Sequence, residues 1–210
     1  VTFLPLHLAQ PPFDDIHIRR AVNYAIDRAS LLGLRTPILP IGPWAGHVHN
    51  HMAPDTVLDN LLLRYDPFPS DGGSGDLEAA KAQVAASAYD TDRDGVCDAP
   101  ACRSVRTLVN PRPGTAAVAA AVAEDLKAIG IELALEQGEI ADFFDRLYDG
   151  AEHIALSIDI AFIKDYPSAD TFFTPLFHRG NQDNYWNPMA IGVRPDELEA
   201  LGYEPLEIPN

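Results

Sequence analysis

An acidic stretch with two cysteines contains the side chains best suited to bind a metal ion. Residues 89–102 read YDTDRDGVCDAPAC, which places acidic residues at positions 1, 3, 5 and 9 of a D-x-D-x-D-G-x-x-D loop. Gly95 stands at position 6, where a calcium loop turns sharply. The spacing predicts a structural calcium site. Its expected ligands are Asp90, Asp92, Asp94, Asp98 and the backbone carbonyl of Val96.

This acidic loop differs from an EF-hand at position 12. An EF-hand has a bidentate Glu there, whereas this chain has Ala101. We therefore expect a weak or purely structural site whose coordination shell is completed by water. The alternative is a solvated, negatively charged turn that binds no ion.

The only two cysteines, Cys97 and Cys102, lie in the same loop. In an oxidising compartment they would form a disulfide that braces the loop, and in the cytosol they would serve as redox-active or metal-binding thiols. The spacing is not that of a C-x-x-C redox motif, and no second pair could complete a zinc site. The disulfide is the favoured prediction.

Three histidines provide a second candidate metal site. His47, His49 and His51 alternate in GHVHNHM, so an extended chain would direct all three imidazoles to one side. Imidazole suits nickel, zinc and copper. The competing interpretation, a polar loop without a metal, is favoured because three ligands so close in sequence seldom reach one ion without strain.

Composition and motifs exclude several function classes. Fifteen basic against 31 acidic residues give a formal net charge of −16, which repels nucleic acid and anionic membranes. No apolar run approaches the roughly 20 residues that span a bilayer. G-x-S-x-G, H-E-x-x-H and P-loop motifs do not occur, so no enzyme activity is expected.

Two helices are predicted before the acidic loop. Apolar residues from Ile18 to Ala29 recur at helical spacing after Asp14 or Asp15, either of which could cap the helix. Asp76 precedes a second helix with an apolar stripe. That stripe comprises Leu77, Ala80, Val84 and Ala88. The stretch between, 34–70, is rich in proline and predicts an irregular connection.

A regular β-α-β-α-β succession follows the acidic loop. The predicted order is strand 105–110, helix 116–129 ending at Gly130, strand 131–135, helix 140–147 closed by Gly150, and strand 154–160. This order predicts an α/β fold with parallel strands joined by right-handed crossovers. Ligands of such sheets bind beyond the carboxyl ends of the strands.

Several stretches together resemble a known family. PPFDDIHIRRAVNYAIDRASLL, GDLEAAKAQVAASAYD, VAEDLKAIGIELALEQGEIADFFDRLYDGAEHIALSI, and KDYPSADTFFTPLF with NQDNYWNP follow one another in the chain. In this order they resemble extracellular solute-binding proteins of family 5, the peptide and nickel class that serves ABC importers. The resemblance implies a periplasmic-binding-protein-like class II fold, with one lobe built on a mostly parallel sheet flanked by helices.

The same resemblance implies a domain organisation. Members of the family have two lobes that close over a ligand, and this chain is similar to the C-terminal lobe alone. We therefore expect residues 1–210 to form a single domain that lacks the N-terminal lobe. Residues 89–102 would be an inserted calcium and disulfide loop, and residues 188–210 a truncated tail.

The ligand-binding residues are also implied by the resemblance. Asp165 matches the acidic residue that pairs with the free amine of a bound peptide in the family's DYP-type motif. The other implied ligand contacts are Phe162, Tyr166, Tyr185, Trp186 and, by similarity to a carboxylate-binding Arg-Pro, Arg112.

The function expected from the resemblance is solute capture for an ABC permease, with peptide as the favoured ligand. The protein would be exported, either to the periplasm or to the cell surface as a lipoprotein. Two alternatives stay open: binding of nickel or another metal complex, and a calcium-braced extracellular interaction module without a transport role.

Overall fold

The computed structural model describes residues 2–35, 66–161, 170–177, 190–192 and 195–200. Its helices are α1 (Ile16–Ala25), α2 (Arg28–Arg35), α3 (Leu77–Val84), α4 (Thr115–Lys127), α5 (Phe143–Tyr148), α6 (Asp170–Phe177) and α7 (Pro195–Ala200). Its strands are β1 (Thr2–Phe3), β2 (Val105–Val109), β3 (Leu133–Gln137), β4 (Leu156–Ile158) and β5 (Ile160–Ala161). Helices and strands alternate through the second half, which confirms the predicted α/β class.

Helix α1 begins where the sequence predicts it. The Asp15 carboxylate caps the helix by accepting a hydrogen bond from the His17 N–H at 2.6 Å. The other predicted cap, Asp14, instead accepts from the Asp15 N–H at 3.0 Å. Ile18, Ala21 and Val22 are buried, as the apolar stripe requires.

The prediction that this helix continues to Ala29 was wrong. Helix α1 stops at Ala25, and the backbone of Ile26 is extended. Asp27 then donates its N–H to the Asp125 carboxylate at 3.0 Å and accepts from the Ser30 N–H at 2.9 Å. These side-chain bonds compete with continued helix and open α2 instead.

Helix α3 packs against α1 and buries a narrower stripe than predicted. Asp76 caps it by accepting from the Ala79 N–H at 2.9 Å. Ala80 and Val84 are buried, whereas Leu77 is 45% exposed and Ala88 lies beyond the end of the helix.

The sheet has the predicted parallel topology. Strand β2 pairs in parallel with β3 on one side and β4 on the other, giving the order β3-β2-β4. Val105 lies opposite Leu133, and Thr107 lies opposite Leu156. All three carboxyl ends therefore meet at one edge of the sheet, which we call the carboxyl edge.

The helix predicted from residue 140 begins three residues later, at Phe143. Phe143 and Leu147 are buried against the sheet. Ile140 is 55% exposed and Phe144 is 39% exposed, so only two of the four predicted apolar residues are buried.

The strand predicted over residues 154–160 is interrupted. Strand β4 ends at Ile158, Asp159 adopts a left-handed backbone at φ 73°, and β5 pairs antiparallel with β1 rather than with the parallel sheet. Leu6 forms an isolated antiparallel bridge with Leu156. The N-terminal segment therefore runs along the outer side of β4 and β5.

Two apolar clusters lie on opposite faces of the sheet. Val105 and Val109 of β2 pack with residues of α1, α3 and α4, whereas Leu108 packs with Phe143 and Leu147 of α5. Alternate residues of a strand point to opposite faces, so β2 contributes to both clusters. This is the layered arrangement expected when helices cover a parallel sheet.

Within the described residues, no helix combines the length and the apolar character needed to cross a membrane.

Candidate functional site

The carboxyl edge holds a buried polar group formed by Asn110, Thr115 and Asp159. Asn110 follows β2 directly, Asp159 follows β4, and Thr115 opens α4. All three side chains are at most 1% exposed. We call this set the edge anchor.

The hydrogen bonds of the edge anchor join both strands to the helix. The Thr115 hydroxyl donates to the Asp159 carboxylate at 2.8 Å. The Asn110 amide donates to the Asp159 carbonyl at 3.2 Å, and the Asn110 N–H donates to the Ile158 carbonyl at 3.1 Å. Buried polar groups need such partners, because leaving them without hydrogen bonds would cost stability.

Sequence reasoning missed the edge anchor. The signal available was Asp159 itself, a charged residue within the apolar run IALSIDIA. A carboxylate at a buried strand position is uncommon unless it has hydrogen-bond partners, so Asp159 marks the place where the predicted strand is interrupted.

Arg112 lies in the turn between β2 and α4, next to the edge anchor. Its N–H donates to the Asn110 side-chain oxygen at 3.2 Å, and its own side chain is exposed. The turn thus presents a guanidinium at the carboxyl edge. Its proposed contact with a ligand carboxylate stays a prediction.

The other predicted ligand contacts, Phe162, Asp165, Tyr166, Tyr185 and Trp186, lie outside the described residues. The predicted histidine site, His47, His49 and His51, lies outside them as well. The described chain reaches Ala161, the last residue of β5, and resumes at Asp170.

The acidic loop brings three of its four aspartates together. Carboxylate oxygens of Asp90, Asp92 and Asp98 lie within 4.8 Å of one another. Asp94 is not in this group, and its carboxylate accepts from the Val96 N–H at 2.8 Å. Three convergent carboxylates fit a hard cation such as calcium.

Hydrogen bonds hold all three convergent carboxylates in place, and Asp92 accepts one from the Asp94 N–H at 3.2 Å. Buried Asp90 accepts from the N–H groups of Arg93 at 2.7 Å and Gly95 at 2.8 Å. Asp98 accepts from both the hydroxyl and the N–H of Thr91. The Thr91 hydroxyl bond lowers the pKa of Asp98, so this carboxylate stays ionised at neutral pH.

The predicted disulfide is present between Cys97 and Cys102, and both sulfurs are buried. The Cys97 N–H donates to the Ile129 carbonyl at 2.9 Å, and the Glu132 N–H donates to the Cys102 carbonyl at 2.8 Å. The acidic loop is thereby attached to the turn before β3, at the amino end of the sheet.

The two aspartates just before α1 contact the start of the acidic loop and the residue that precedes it. The Tyr89 hydroxyl donates to the Asp14 carboxylate at 2.7 Å, and the Ala88 N–H donates to the Asp15 carboxylate at 3.1 Å. Burial, together with the bond to Asp14, raises the pKa of Tyr89, which therefore remains a hydrogen-bond donor at neutral pH.

An ion-pair network that the sequence did not predict joins α5 to the sheet. Arg106 of β2 and Arg146 of α5 both contact Glu136 of β3, at 2.8 and 2.7 Å, and both contact Glu152. Hydrogen bonds from Arg106 and Arg146 lower the pKa of Glu136 to about 2. These partly exposed groups satisfy one another, which favours a structural role.

A family model described as bacterial extracellular solute-binding proteins, family 5 Middle, matches residues 1–184. Among solved structures, the clavulanic acid biosynthesis oligopeptide binding protein 2 has 26% sequence identity and a TM-score of 0.65, covering 91% of this chain and 33% of that chain. No curated protein sequence matches this chain.

Two further structures share the fold. The oligopeptide-binding protein AppA from Bacillus subtilis, solved in complex with a nonapeptide, has 19% identity and a TM-score of 0.60, covering 90% of this chain and 36% of that chain. The periplasmic EDTA-binding protein EppA has 21% identity and a TM-score of 0.61, covering 88% of this chain and 33% of that chain.

The chain therefore spans about a third of the length of these structures. Its fold is that of one partial lobe of a solute-binding protein, with helices flanking a parallel sheet. The family match extends over most of the chain, from the first residue past the last strand. The chain belongs to the bacterial extracellular solute-binding proteins of family 5.

Proposed function

We propose that this chain is the C-terminal lobe of the substrate-binding component of an ABC importer. The match to family 5 over residues 1–184 is the observation that carries the proposal. A small solute, here taken to be a peptide with a free amine, binds between this lobe and an N-terminal lobe. The closed form then delivers it to a membrane permease. The protein acts after export, in the periplasm or as a lipoprotein at the cell surface.

The architecture supports a ligand site at the carboxyl edge. Open α/β sheets bind ligands beyond the carboxyl ends of their strands. Arg112 is exposed in the turn after β2 at this edge, and Asp165 comes four residues after the end of β5 in sequence. A guanidinium and a carboxylate are suited to the two charged termini of a peptide.

The role assigned here is binding without chemistry. Asp165 pairs with the ligand ammonium, and closure of the two lobes excludes water and strengthens that pairing. A lobe that supplies half of a cleft binds weakly alone. We therefore expect saturable binding of peptide by the two-lobed protein and little binding by the isolated 210 residues.

Calorimetry with trialanine and N-acetyl-trialanine tests this function in the two-lobed protein. Replacing Asp165→Asn removes the charge that pairs with the ammonium, so trialanine affinity should fall by about 10- to 100-fold. The acetylated peptide has no ammonium and should bind weakly to both forms. Asp71→Asn, the same substitution at an exposed residue, is the charge-matched control.

Two results would contradict the proposal. Equal trialanine affinity in the wild type and the Asp165→Asn variant would remove the role of Asp165. Binding of neither peptide, with saturable heat from nickel that is lost when His47, His49 and His51 are replaced by alanine, would favour metal-complex transport instead.

A further inference from the structure

The backbone at Asp159 has a positive φ, which is uncommon for a residue other than glycine. Asp159 has φ 73°, in the left-handed region that residues other than glycine adopt at a cost. It separates β4, which belongs to the parallel sheet, from β5, which pairs with β1. Such conformations persist only where the surroundings enforce them, and they cluster at functional sites.

The edge anchor supplies those surroundings. The Thr115 hydroxyl holds the Asp159 carboxylate at 2.8 Å, and the Asn110 amide holds the Asp159 carbonyl at 3.2 Å. Asn110 directly follows β2 and Thr115 is the first residue of α4, so the turn is fixed to a second strand and to a helix. In a buried setting a hydrogen bond to a carboxylate is stronger and more directional than one in water.

The anchor fixes how the chain leaves the parallel sheet. Immediately after Asp159, Ile160 pairs with Phe3 and Ala161 pairs with Thr2. The next residues in sequence, Phe162, Asp165 and Tyr166, are those assigned to the ligand. A turn fixed at two points before this segment sets the direction from which the chain enters it.

A strand that served only to fill the core would be more stable with an apolar residue in place of Asp159. An apolar residue at position 159 would avoid burying a carboxylate, and an ordinary backbone would let β4 continue. The sequence instead combines a buried carboxyl group, a left-handed turn and two hydrogen-bond partners. We propose that Asp159 is a positioning residue for solute binding, which it supports, together with Thr115 and Asn110, by fixing the turn into residues 162–166. The inference rests on the proposed function.

Hydrogen exchange on the 210-residue chain, without any ligand, tests the anchor directly. Asp159→Gly accepts the left-handed backbone but removes the carboxylate, whereas Asp159→Asn keeps an oxygen for Thr115 and tolerates the same backbone. Thr115→Val removes the hydroxyl, and Thr115→Ser retains it. We expect the Gly and Val variants to lose about tenfold or more of the amide protection over β5, which pairs with β1. The Asn and Ser variants should retain it, and β2 and β3 should be unchanged in all four.

The same variants in the two-lobed protein separate positioning from simple stability. Trialanine affinity should fall about tenfold in Asp159→Gly and Thr115→Val, and recover in Asp159→Asn and Thr115→Ser. Tyr89→Phe, which removes a hydrogen bond at the other end of the sheet, should leave it within about twofold.

Two outcomes would overturn the inference. One is unchanged exchange over β5 in both Asp159→Gly and Thr115→Val. The other is exchange that rises equally throughout the sheet, which would make the anchor a general stabiliser. If the wild type binds neither trialanine nor its acetylated form, the proposed function fails, while the exchange result still decides whether the anchor fixes the turn.

Discussion

The two ends of the parallel sheet are built in different ways. At the amino end, a disulfide closes the acidic loop on itself, and the loop is attached by backbone hydrogen bonds to Ile129 and Glu132 and by a tyrosine that reaches Asp14, just before α1. At the carboxyl edge, the edge anchor holds one backbone turn beside the exposed Arg112.

The difference indicates that the two ends of the sheet have different roles within one lobe. The hydrogen bonds at the amino end join the acidic loop to the turn before β3 and to the start of α1, so they contribute to the stability of the whole sheet. The edge anchor holds the geometry of a single turn at the edge where ligands of such sheets bind. Changes at the amino end should therefore alter stability and leave affinity intact, whereas changes at the carboxyl edge should lower affinity in addition to any loss of stability.

The largest effect is expected from Gly130→Ala at the amino end. Gly130 has φ +83°, and a Cβ there would lie 2.5 Å from the Cys97 carbonyl oxygen and 2.6 Å from the Cys97 nitrogen. Both contacts are with backbone, which cannot move without detaching the acidic loop. Strain and collision together should lower the free energy of unfolding by about 4 kcal/mol or more, as measured by urea denaturation.

Gly33→Ala is the matched control for this substitution. Gly33 lies inside α2, and a Cβ there would have no heavy atom within 4 Å. Alanine should stabilise the helix by about 0.5–1 kcal/mol. If Gly130→Ala were as harmless as the control, the close attachment of the acidic loop would be wrong.

The next effect is acid destabilisation through His7, which also lies near the amino end of β4. The backbone N–H of His7 donates to the Ala155 carbonyl at 2.9 Å, and the ring Nδ1 of His7 accepts from the Ala9 N–H at 3.2 Å. Burial lowers the pKa of His7 from 6.5 to about 4. A protonated Nδ1 could no longer accept the Ala9 N–H, so the folded state resists protonation.

The sign of the effect follows from this lowered pKa. The unfolded chain binds a proton near pH 6.5 while the folded chain does not, so stability is full above that pH and falls until about pH 4. The loss should reach about 3 kcal/mol. Thermal melts from pH 7.5 to 4 measure it, and His7→Asn, which keeps an acceptor but does not titrate, should flatten that part of the curve. An equally steep curve in the Asn variant would assign the effect to other groups.

Removing the disulfide should have a smaller effect. The double variant Cys97→Ala with Cys102→Ala opens a short covalent ring, which should cost about 2 kcal/mol of unfolding free energy. Reducing agent should destabilise the wild type by a similar amount and leave the double variant unchanged. A loss of trialanine affinity in the double variant at temperatures where it is folded would contradict the division between the two ends.

Much of the fold follows from patterns in the sequence. Apolar periodicity and glycine stops located β2, β3, α4 and α5 to within a few residues. Strand β2 and helices α4 and α5 bury apolar residues in the two clusters, whereas β3 has no fully buried residue and Leu135 is 43% exposed. Asp15 and Asp76 were recognisable caps from the local sequence as well.

The errors arose where distant contacts decide local structure. The break after Ala25 depends on Asp125, which is remote in sequence from Asp27. The interruption at Asp159 depends on Thr115 and Asn110, which no local pattern brings near it. The edge anchor was missed for this reason, whereas the acidic loop was found because its candidate ligands are neighbours in sequence.

Calcium binding by the acidic loop gives the smallest expected effect and the sharpest comparison of two carboxylates. Asp92 and Asp94 are both exposed and each accepts one backbone N–H, at 3.2 and 2.8 Å, but only Asp92 lies in the convergent group. Calcium at about fivefold above its dissociation constant should raise the unfolding free energy by about 1 kcal/mol. Asp92→Asn should abolish this gain and Asp94→Asn should retain it, with melts at matched ionic strength and with chelator as controls. If calcium stabilised neither the wild type nor the variants, the loop would be a solvated acidic turn, and an equal gain in both variants would remove Asp92 as a ligand. A calcium-dependent change in trialanine affinity would show that the amino end communicates with the carboxyl edge.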